Sequence, residues 1–326
     1  MADRFHPETR DRQRTMLRTA MGPAIASALA DPAVIEVMVN PDGRLWLDRH
    51  GDGRIDTGQT LGSAEAERII RLVASHVGQE CHGERPVVSA ELPESGERFE
   101  GLLPPVAPSP CFAIRKPAKV LYRISDYVEA QIMTAPMAET LRDAVRSAKN
   151  IVVVGGTSSG KTTLVNALLA DVAESGDRII LIEDTRELHC AAEDCVSLRT
   201  KPGVASLGDL VRSTLRLRPD RIIVGEVRGP EALDMLKAWN TGHPGGITTL
   251  HANSAVAGLY RLEQLIQEAV VTVPRRLIAD AIDVVVFLKG RGADRRVETV
   301  AALEGLGADG DYQLRPLTPI RLVPTA

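Results

Sequence analysis

A glycine-rich run in the middle of the chain constrains the fold more than any other feature. Residues 155–162 read GGTSSGKT and fit the pattern G-x-x-x-x-G-K-[ST]. The β-branched run Ile151–Val154 precedes it and predicts a buried strand, and the stretch 163–170 after it predicts a helix. Because a strand, a glycine loop and a helix in this order bind phosphate groups, the run predicts a nucleotide-binding α/β domain.

The residue types in this run match the chemistry of a phosphate chain. Gly155 and Gly160 let the backbone approach an anion, so that successive N–H groups and the helix N-terminus face it. Lys161 adds a positive charge at the terminal phosphates, and the Thr162 hydroxyl is a ligand for Mg²⁺. The predicted nucleotide-binding residues are Gly155, Gly156, Thr157, Ser158, Ser159, Gly160, Lys161, Thr162 and Thr163.

The composition is that of a soluble globular protein, with 44% apolar and 25% charged residues among 326. The net charge of −4 and the aromatic content of 3% argue against a nucleic-acid surface, so no direct nucleic-acid binding is predicted. No apolar run approaches the roughly 18 residues that span a bilayer. Because the N-terminus also lacks the apolar segment of a signal peptide, we expect a cytoplasmic protein.

The first part of the chain, residues 1–115, has the pattern of a small α+β domain. Residues 33–40 and 44–48 predict two strands joined by a turn, and 63–77 predict a helix with Ser63 as its N-cap. Before them, residues 1–22 hold five arginines and predict a solvated helix, with contact to a membrane surface or a partner as the alternative. Further short strands are predicted at 87–88, around Phe99 and at 112–115.

A linker and a larger domain follow. Residues 116–137 show little periodicity and predict a hinge, with a short helix near 124–130 left open. From 138 to 326 strands and helices alternate, which predicts a mainly parallel sheet covered on both faces. Strands are expected at 151–154, 178–182, 196–198, 221–224, 247–250 and 284–288, with an antiparallel extension at 296–303 and 312–317. Helices are expected near 138–148, 162–174, 207–217, 230–241, 255–268 and 274–282.

Two neighbouring carboxylates follow one of these strands. Glu183 and Asp184 come directly after the apolar run 180–182. Since ligands of a parallel sheet bind at its carboxyl edge, these acids are expected beside the glycine loop, where they would hold Mg²⁺ or its waters. Solvated acids at a strand end are the alternative.

Another strand, 221–224, is followed by Gly225 and Glu226. This is the Walker B arrangement, in which a Glu orients or deprotonates the water that attacks the γ-phosphate. The usual metal-binding Asp is absent, because Gly225 precedes Glu226. Metal binding therefore shifts towards Thr162 and the two acids described above.

A third strand ends at a histidine, in the run TTLHAN at 248–253. His251 would sense or stabilise a phosphate through a hydrogen bond, with Thr248 and Thr249 as further polar groups nearby. A structural histidine is the alternative.

These four motifs, in this order, resemble those of the secretion or traffic ATPases, the ring-forming motors of type IV secretion, conjugation, type II secretion and type IV pili. The stretch 31–40 is also similar to that of conjugal-transfer ATPases of the TrbB type. The four-cysteine insert of the type II secretion branch is lacking, and we expect no additional N-terminal assembly domains, which favours the conjugation and type IV secretion branch. The resemblance covers at least residues 95–290, with 155–162 as Walker A, 182–188 as Asp box, 224–228 as Walker B and 248–253 as His box.

The resemblance implies a C-terminal RecA-like P-loop NTPase domain over 138–326, a smaller N-terminal α+β domain and the cofactors ATP and Mg²⁺. It implies that arginines of the N-terminal domain reach the phosphates, and the matching positions are Arg98 and Arg115. At these positions a guanidinium group would neutralise the charge that builds up on the transferred phosphoryl group. The alternative is that both arginines only lie on the surface. The implied catalytic set is Lys161, Glu226, Glu183, Asp184, His251, Arg98 and Arg115, with Thr162 and Glu183 at the metal and Arg216, Arg218, Arg228, Thr248 and Thr249 as secondary candidates.

On this basis the chain is expected to form a homo-hexamer that hydrolyses ATP and powers assembly of, or transfer through, a conjugation-type secretion channel. It would lie in the cytoplasm, peripheral to the inner membrane through channel proteins. A type IV pilus or type II secretion motor shares all four motifs and is the first alternative. A monomeric P-loop kinase is a further alternative, whereas the lack of an N-K-x-D motif counts against a GTPase.

Overall fold

The computed structural model describes residues 7–93, 96–117, 121–201 and 203–318. The chain divides into two units, Met1–Ala118 and Lys119–Ala326, each with its own sheet and its own hydrophobic core. The predicted fold class, a larger C-terminal α/β domain with a smaller N-terminal α+β domain, is confirmed.

In the described part of the N-terminal unit, six strands form one sheet: β1 (Val34–Val39), β2 (Arg44–Arg49), β3 (Gly53–Thr60), β4 (Val87–Glu91), β5 (Arg98–Leu102) and β6 (Cys111–Arg115). Within the described residues all neighbours pair antiparallel, in the order β3–β2–β1–β6–β5–β4. Burial alternates along β5 and β6, with Phe99 and Ile114 buried between more exposed residues. One face of the sheet is therefore covered and the other is open, as is usual for antiparallel sheets.

Strand β3 was not predicted. Its only large apolar residue is Ile55, and almost all of its residues are exposed, so the alternation that marks a half-buried strand is missing. The strand forms because a tight turn leads it back along β2, and Gly51 and Gly53 supply the positive φ angles of 86° and 70° that this turn uses.

Helix α1 (Pro7–Ala30) is longer and more buried than predicted. It is interrupted at Gly22, which has φ 69° and ψ 175°, and it resumes at Pro23, which has no N–H to donate. The expectation of a solvated helix over 1–22 is wrong from Leu17 onwards, because one side of α1 completes the N-terminal core; residues 1–6 lie outside the described residues. Among the side chains of α1 that the structure describes, the buried ones are Leu17, Met21, Ile25 and Ala28.

Helix α2 (Ser63–His76) covers the buried face of the N-terminal sheet. A Cβ at Gly101 would lie 2.7 Å from the Phe99 ring and 3.0 Å from Ile70, so a glycine is needed for this close approach. The prediction of Ser63 as N-cap is wrong by one residue. Gly62 is the N-cap, because its N–H donates to the Glu65 carboxylate at 2.9 Å.

Among the described residues of the C-terminal unit, eight strands form one sheet: β7 (Ile151–Gly155), β8 (Ile179–Glu183), β9 (Cys195–Arg199), β10 (Arg221–Val224), β11 (Ile247–His251), β12 (Val284–Lys289), β13 (Arg296–Leu306) and β14 (Tyr312–Pro316). Their order in the described part of the chain is β14–β13–β12–β7–β11–β10–β8–β9. The strands from β12 to β9 are parallel, and β13 and β14 are antiparallel. The mainly parallel sheet with an antiparallel extension is confirmed.

The central strands of this sheet are buried on both faces. Every residue of β7, β8 and β10 is buried, which explains why these stretches read as continuous apolar runs. Each fully buried Val or Ile side chain contributes about 1.5–3 kcal/mol to folding. A strand of this kind can place a functional side chain only at its ends.

Helices cover both faces of the C-terminal sheet, and all six helices predicted there are present. The short helix that was one possibility near 124–130 is also present. The hinge role of 116–137 stays a prediction. No helix in the described ranges is both long and apolar enough to cross a bilayer. One face carries α3 (Ile124–Glu129), α4 (Ala135–Arg146) and α5 (Lys161–Val172); the other carries α6 (Leu207–Thr214), α7 (Glu231–Asn240), α8 (Ala255–Gln267) and α9 (Arg275–Ala281).

Candidate functional site

Four neighbouring parallel strands, β7, β11, β10 and β8, end at one edge of the C-terminal sheet and bring the predicted motifs together. Strands β7 and β11 are in register, with Gly155 paired to His251. Glu226 follows the last residue of β10 by two positions, and Glu183 is the last residue of β8. Residues that are far apart in the sequence therefore become neighbours at this carboxyl edge, where ligands of parallel sheets bind.

The phosphate loop between β7 and α5 depends on its small residues. Ser158 and Gly160 have positive φ angles of 62° and 93°, and left-handed residues of this kind turn backbone N–H groups towards an anion. A Cβ at Gly155 would lie 2.5 Å from Ser159 Oγ and 2.7 Å from Leu288 O, so only glycine fits there. Since α5 begins directly after Gly160, the positive end of its dipole lies at the loop.

The remaining predicted loop residues differ in burial. Thr157 and Ser158 are exposed, whereas Ser159 is buried. Thr162 and Thr163 are half-buried in the first turn of α5, and Gly156 is half-buried before the tip. The tip of the loop at Thr157 and Ser158 is therefore accessible, whereas Ser159 packs inward.

Lys161 is buried, and its ammonium group is held at the loop. Nζ donates to the carbonyl oxygens of Gly155 at 3.0 Å and Gly156 at 2.9 Å. It also lies 3.3 Å from Nδ1 of His251. Because an ammonium group can only donate, Nδ1 is the acceptor in this contact.

The ammonium group at Nδ1 therefore favours the neutral form of His251 with its proton on Nε2. Burial lowers the pKa of His251, and the nearby positive charge of Lys161 lowers it further. Nε2 lies 2.7 Å from Oε1 of Glu226, although the contact is not aligned as a hydrogen bond. The imidazole thus stands between the lysine of the phosphate loop and the carboxylate that follows β10.

Glu226 lies between two basic groups. Its Oε1 faces His251, and its Oε2 is paired with the Arg228 guanidinium. The hydrogen bond that Arg228 donates to Glu226 is the largest cause of its raised pKa, and the nearby negative charges of Asp184 and Glu187 raise this pKa further. The secondary candidate Arg228 therefore joins the cluster and links the carboxylate after β10 with the acids after β8.

Glu183 and Asp184 have different surroundings. Glu183 is buried, and its Oε2 accepts the N–H groups of Glu187 at 3.1 Å and Leu188 at 2.9 Å. Asp184 is exposed, and its Oδ1 accepts the Thr200 hydroxyl at 2.8 Å. Glu183 therefore folds the loop after β8, a role that was not predicted, while its metal role stays a prediction.

Thr248 and Thr249 lie inside β11 and are buried. The Thr249 hydroxyl donates to the Gly225 carbonyl at 2.8 Å, so it fixes the turn that carries Glu226. The Thr248 hydroxyl has no hydrogen-bond partner within the described residues. Neither threonine lies in the line of contacts from Lys161 to Glu226.

Arg98 and Arg115 belong to a charged row in the N-terminal sheet. They stand directly opposite each other on β5 and β6. Glu91 on β4 is opposite Arg98, and Glu36 on β1 is opposite Arg115. Because the residues next to the two arginines are buried under α2, the row lies on the face that α2 leaves open.

Arg216 and Arg218 precede β10 at the amino edge of the C-terminal sheet. This edge is opposite the one that carries the phosphate loop, and both side chains are exposed. Arg218 has a left-handed backbone with φ 55°. The structure therefore does not bring these two arginines to the phosphate loop of their own chain.

The family model described as type II/IV secretion system protein matches residues 87–289. The chain belongs to this family. The matched span runs from β4 to β12 and includes Arg98, Arg115 and all four motifs described above.

Individual relatives agree with this assignment. The conjugal transfer protein TrbB of Rhizobium radiobacter is 48% identical over 291 residues, which cover 89% of this chain and 90% of that protein. The type IV secretion system protein VirB11 of Bartonella quintana is 32% identical over 285 residues, or 75% of this chain and 80% of that protein. The crystal structure of the pilus retraction motor PilT with bound ADP has a TM-score of 0.62 at 18% identity, covers 90% of this chain and 82% of its own, and shows the shared fold. The resemblance to type IV secretion and conjugal transfer ATPases is thereby confirmed.

Asn166 and Arg295 lie near the site but were not among the predicted site residues. Asn166 on α5 donates to the Glu187 carbonyl at 2.8 Å and accepts the His189 N–H at 2.9 Å, so it ties the loop after β8 to the phosphate-loop helix. Its signal in the sequence is a lone amide in the mostly apolar stretch 163–170. Arg295 lies against Gly160 and comes from the connection between β12 and β13, for which the sequence gives no motif.

Proposed function

We propose that this secretion-family chain hydrolyses ATP with Mg²⁺ as a homo-hexameric ring and powers conjugal transfer or type IV secretion. The observation that carries the proposal is the line of contacts from Lys161 through His251 to Glu226 at the carboxyl edge. A cation for the phosphates and a carboxylate for the attacking water stand on either side of one neutral imidazole.

The phosphate loop and Lys161 bind the phosphate chain in this proposal. The backbone N–H groups and the N-terminus of α5 provide a positive, well-shaped cradle. The ammonium group of Lys161 exchanges the carbonyl oxygens of Gly155 and Gly156 for phosphate oxygens, which give stronger, charge-assisted hydrogen bonds.

Glu226 orients the attacking water and accepts its proton. The pairing with Arg228 fixes the position of the carboxylate. Its Oε1 is buried and, within the described residues, has no aligned hydrogen bond, so it is placed to accept one from a water O–H. Neutral His251 points an N–H group towards the same region and would stabilise a phosphate oxygen there.

The residues at this edge fit a magnesium ion bound with the nucleotide. The Thr162 hydroxyl and the carboxylates of Glu183 and Asp184 offer only oxygen donors, as Mg²⁺ prefers. Glu183 has one oxygen engaged by two backbone N–H groups. When bound, Mg²⁺ would neutralise part of the negative charge of the phosphates.

The arginines complete the proposal in a ring. Arg98 and Arg115 would neutralise the charge that develops on the transferred phosphoryl group, and their adjacent positions on one open sheet face support a joint role. Arg216 and Arg218 are exposed at the opposite edge from the phosphate loop and would face a neighbouring subunit.

Conjugal transfer is the process that the relatives favour over a pilus or type II secretion motor, because the identity with TrbB is 48% over 89% of this chain. The proposed partners are channel proteins of a conjugation or type IV secretion system. They would hold the chain at the cytoplasmic side of the inner membrane.

ATP hydrolysis measured as a function of protein concentration, with negative-stain images of the same samples, tests this proposal. We expect specific activity to rise with concentration, together with the fraction of ring-shaped particles. A monomer with constant specific activity, or one that passes phosphate to a small acceptor instead of water, would contradict the ring motor.

A further inference from the structure

The connection between β12 and β13 lies at the same edge as the phosphate loop. Strand β12 runs parallel to β7, with Leu288 beside Gly155, so the chain leaves β12 next to that loop. Strand β13 then runs back along β12 from Arg296. The short connection between them carries Arg295.

The side chain of Arg295 lies directly against Gly160, the N-cap of α5. A Cβ on Gly160 would lie 3.0 Å from Nε and Cζ of Arg295 and 3.2 Å from its Cδ. The Nε atom is buried and has no hydrogen-bond partner within the described residues. The guanidinium group therefore reaches the residue that opens the phosphate-loop helix, and it does so with an unsatisfied donor.

This is an unfavourable place for a cation unless an anion is present. The N-terminus of α5 carries the positive end of the helix dipole, and Lys161 is the first residue of that helix. A third positive group and a buried unsatisfied donor each cost free energy. A bound anion offsets all of these costs, because it attracts both cations and accepts the hydrogen bond of the buried donor.

The neighbouring arginine shows what an ordinary surface guanidinium does here. Arg296 pairs with Glu298, at 3.8 Å between Nη2 and Oε1, and its Nη1 donates to the Asp294 carbonyl at 3.4 Å. In the described part of the chain Arg295 has no carboxylate partner of this kind. Arg296 is therefore a matched control for Arg295.

We propose that Arg295 binds the diphosphate part of a nucleotide held in the phosphate loop of its own chain. The inference rests on the proposed nucleotide binding and adds to it a residue outside the four motifs. The loop holds the α- and β-phosphates where α5 begins, so Arg295 contacts groups that ATP and ADP share. It differs in this from Arg98 and Arg115, which are proposed to act on the transferred γ-phosphoryl group.

The test compares dissociation constants for Mg-ATP, Mg-ADP and inorganic pyrophosphate in the full chain and in Arg295→Gln, Arg295→Lys and Arg296→Gln. We expect Arg295→Gln to weaken binding of all three by about tenfold or more, the loss of one charge-assisted contact. Arg295→Lys keeps the charge but loses the planar guanidinium group, so its affinity for each of the three ligands should be about threefold weaker than that of the wild type. Arg296→Gln should bind all three like the wild type.

The outcomes separate this inference from the proposed function. Unchanged ADP affinity in Arg295→Gln, together with lost affinity in Lys161→Ala, would overturn the role of Arg295 alone. Retained affinity in Lys161→Ala would contradict the proposed function itself. A loss for ADP with none for pyrophosphate would place Arg295 at the nucleoside and overturn the diphosphate assignment.

A structural role is tested in the same samples. The unfolding temperature of Arg295→Gln without nucleotide should equal or exceed that of the wild type, because a crowded cation is removed. The rise of that temperature on adding ADP should shrink. If Arg295→Gln does not fold, Arg295→Lys decides: full affinity for ADP in this variant would overturn the proposed contact between the Arg295 guanidinium group and the diphosphate.

Discussion

The two sheets of the molecule place their candidate functional side chains differently. In the C-terminal sheet, strands β7, β8 and β10 are buried throughout, and Lys161 and Glu226 lie beyond the strand ends. In the N-terminal sheet, α2 covers one face only, and Arg98 and Arg115 lie within paired strands on the open face.

This difference determines how each set of residues is held. At the edge of the C-terminal sheet, Lys161, His251, Glu226 and Arg228 lie in one line of contacts, so the position of each side chain depends on its neighbours. On the open face, sheet pairing fixes the backbone positions and each arginine stands opposite an acid. We therefore expect substitutions at the edge to abolish binding or turnover and substitutions in the row to affect a single step.

The largest effect is expected for Lys161→Ala. This change removes the buried ammonium group at the phosphate loop, so affinity for ATP should fall by about 100-fold or more and hydrolysis should fall to background. ATP titration and phosphate release measure the two quantities. Lys149→Ala is the control, because Lys149 pairs with Asp283 at the opposite edge of the sheet, at 2.8 Å. Wild-type hydrolysis in Lys161→Ala would reject the site.

The next effect is expected for Arg98→Ala and Arg115→Ala. Loss of a guanidinium group that acts on the transferred phosphoryl group should lower kcat by about 100-fold, with affinity for ATP changed less than about threefold. Arg54→Ala is the control, because Arg54 pairs with Asp48 across strands and lies on β3, an edge strand of the same sheet. Losses of kcat and of ATP affinity of the same size in Arg98→Ala or Arg115→Ala would contradict a role in a single step. A loss of kcat in Arg54→Ala as large as in these variants would show that the effect is not specific to the charged row.

A moderate effect on stability is expected for Asn166→Ala. The change leaves the Glu187 carbonyl and the His189 N–H without their side-chain partner, which should lower the free energy of unfolding by about 1–3 kcal/mol. Urea unfolding measures this quantity. Asn240→Ala, at an exposed helix end, should change it by less than about 0.5 kcal/mol. Equal stability of the two variants would show that Asn166 does not hold the loop after β8.

The smallest effect is the pH dependence that His251 contributes. Its folded-state pKa lies below the ordinary value of 6.5, so in acid the unfolded chain binds more protons at this residue. The contribution to stability is complete above pH 6.5 and is lost as pH falls through the lowered pKa. The unfolding temperature of the wild type should therefore drop slightly more between pH 7.5 and 5.5 than that of His251→Gln. A smaller drop in the wild type would show that His251 is not held neutral beside Lys161.

The contrast between the sheets also explains what the sequence revealed. The edge residues follow long apolar runs, so each motif is continuous in the sequence, and the strand order then unites them. The burial of α1 and the existence of β3 depend on packing and pairing that local patterns do not contain. The opposition of Arg98 and Arg115 could not be read from the sequence, because it depends on the register of β5 and β6.

Arg295 and Asn166 lie at the site but belong to none of the four motifs. Arg295 reaches Gly160 only because β12 pairs with β7, and Asn166 acts through backbone groups of a loop that follows another strand. Both residues act through tertiary contacts, so neither spacing nor composition indicates their partners.

The central claim is that the contacts from Lys161 to Glu226 form an ATP-hydrolysing site. Paired measurements of ATP binding and phosphate release in Glu226→Gln test it most directly, with Glu304→Gln, which removes a surface carboxylate paired with Arg315, as control. We predict that Glu226→Gln binds ATP within about threefold of the wild type and releases phosphate at least about 100-fold more slowly. Phosphate release within tenfold of the wild-type rate would contradict the claim.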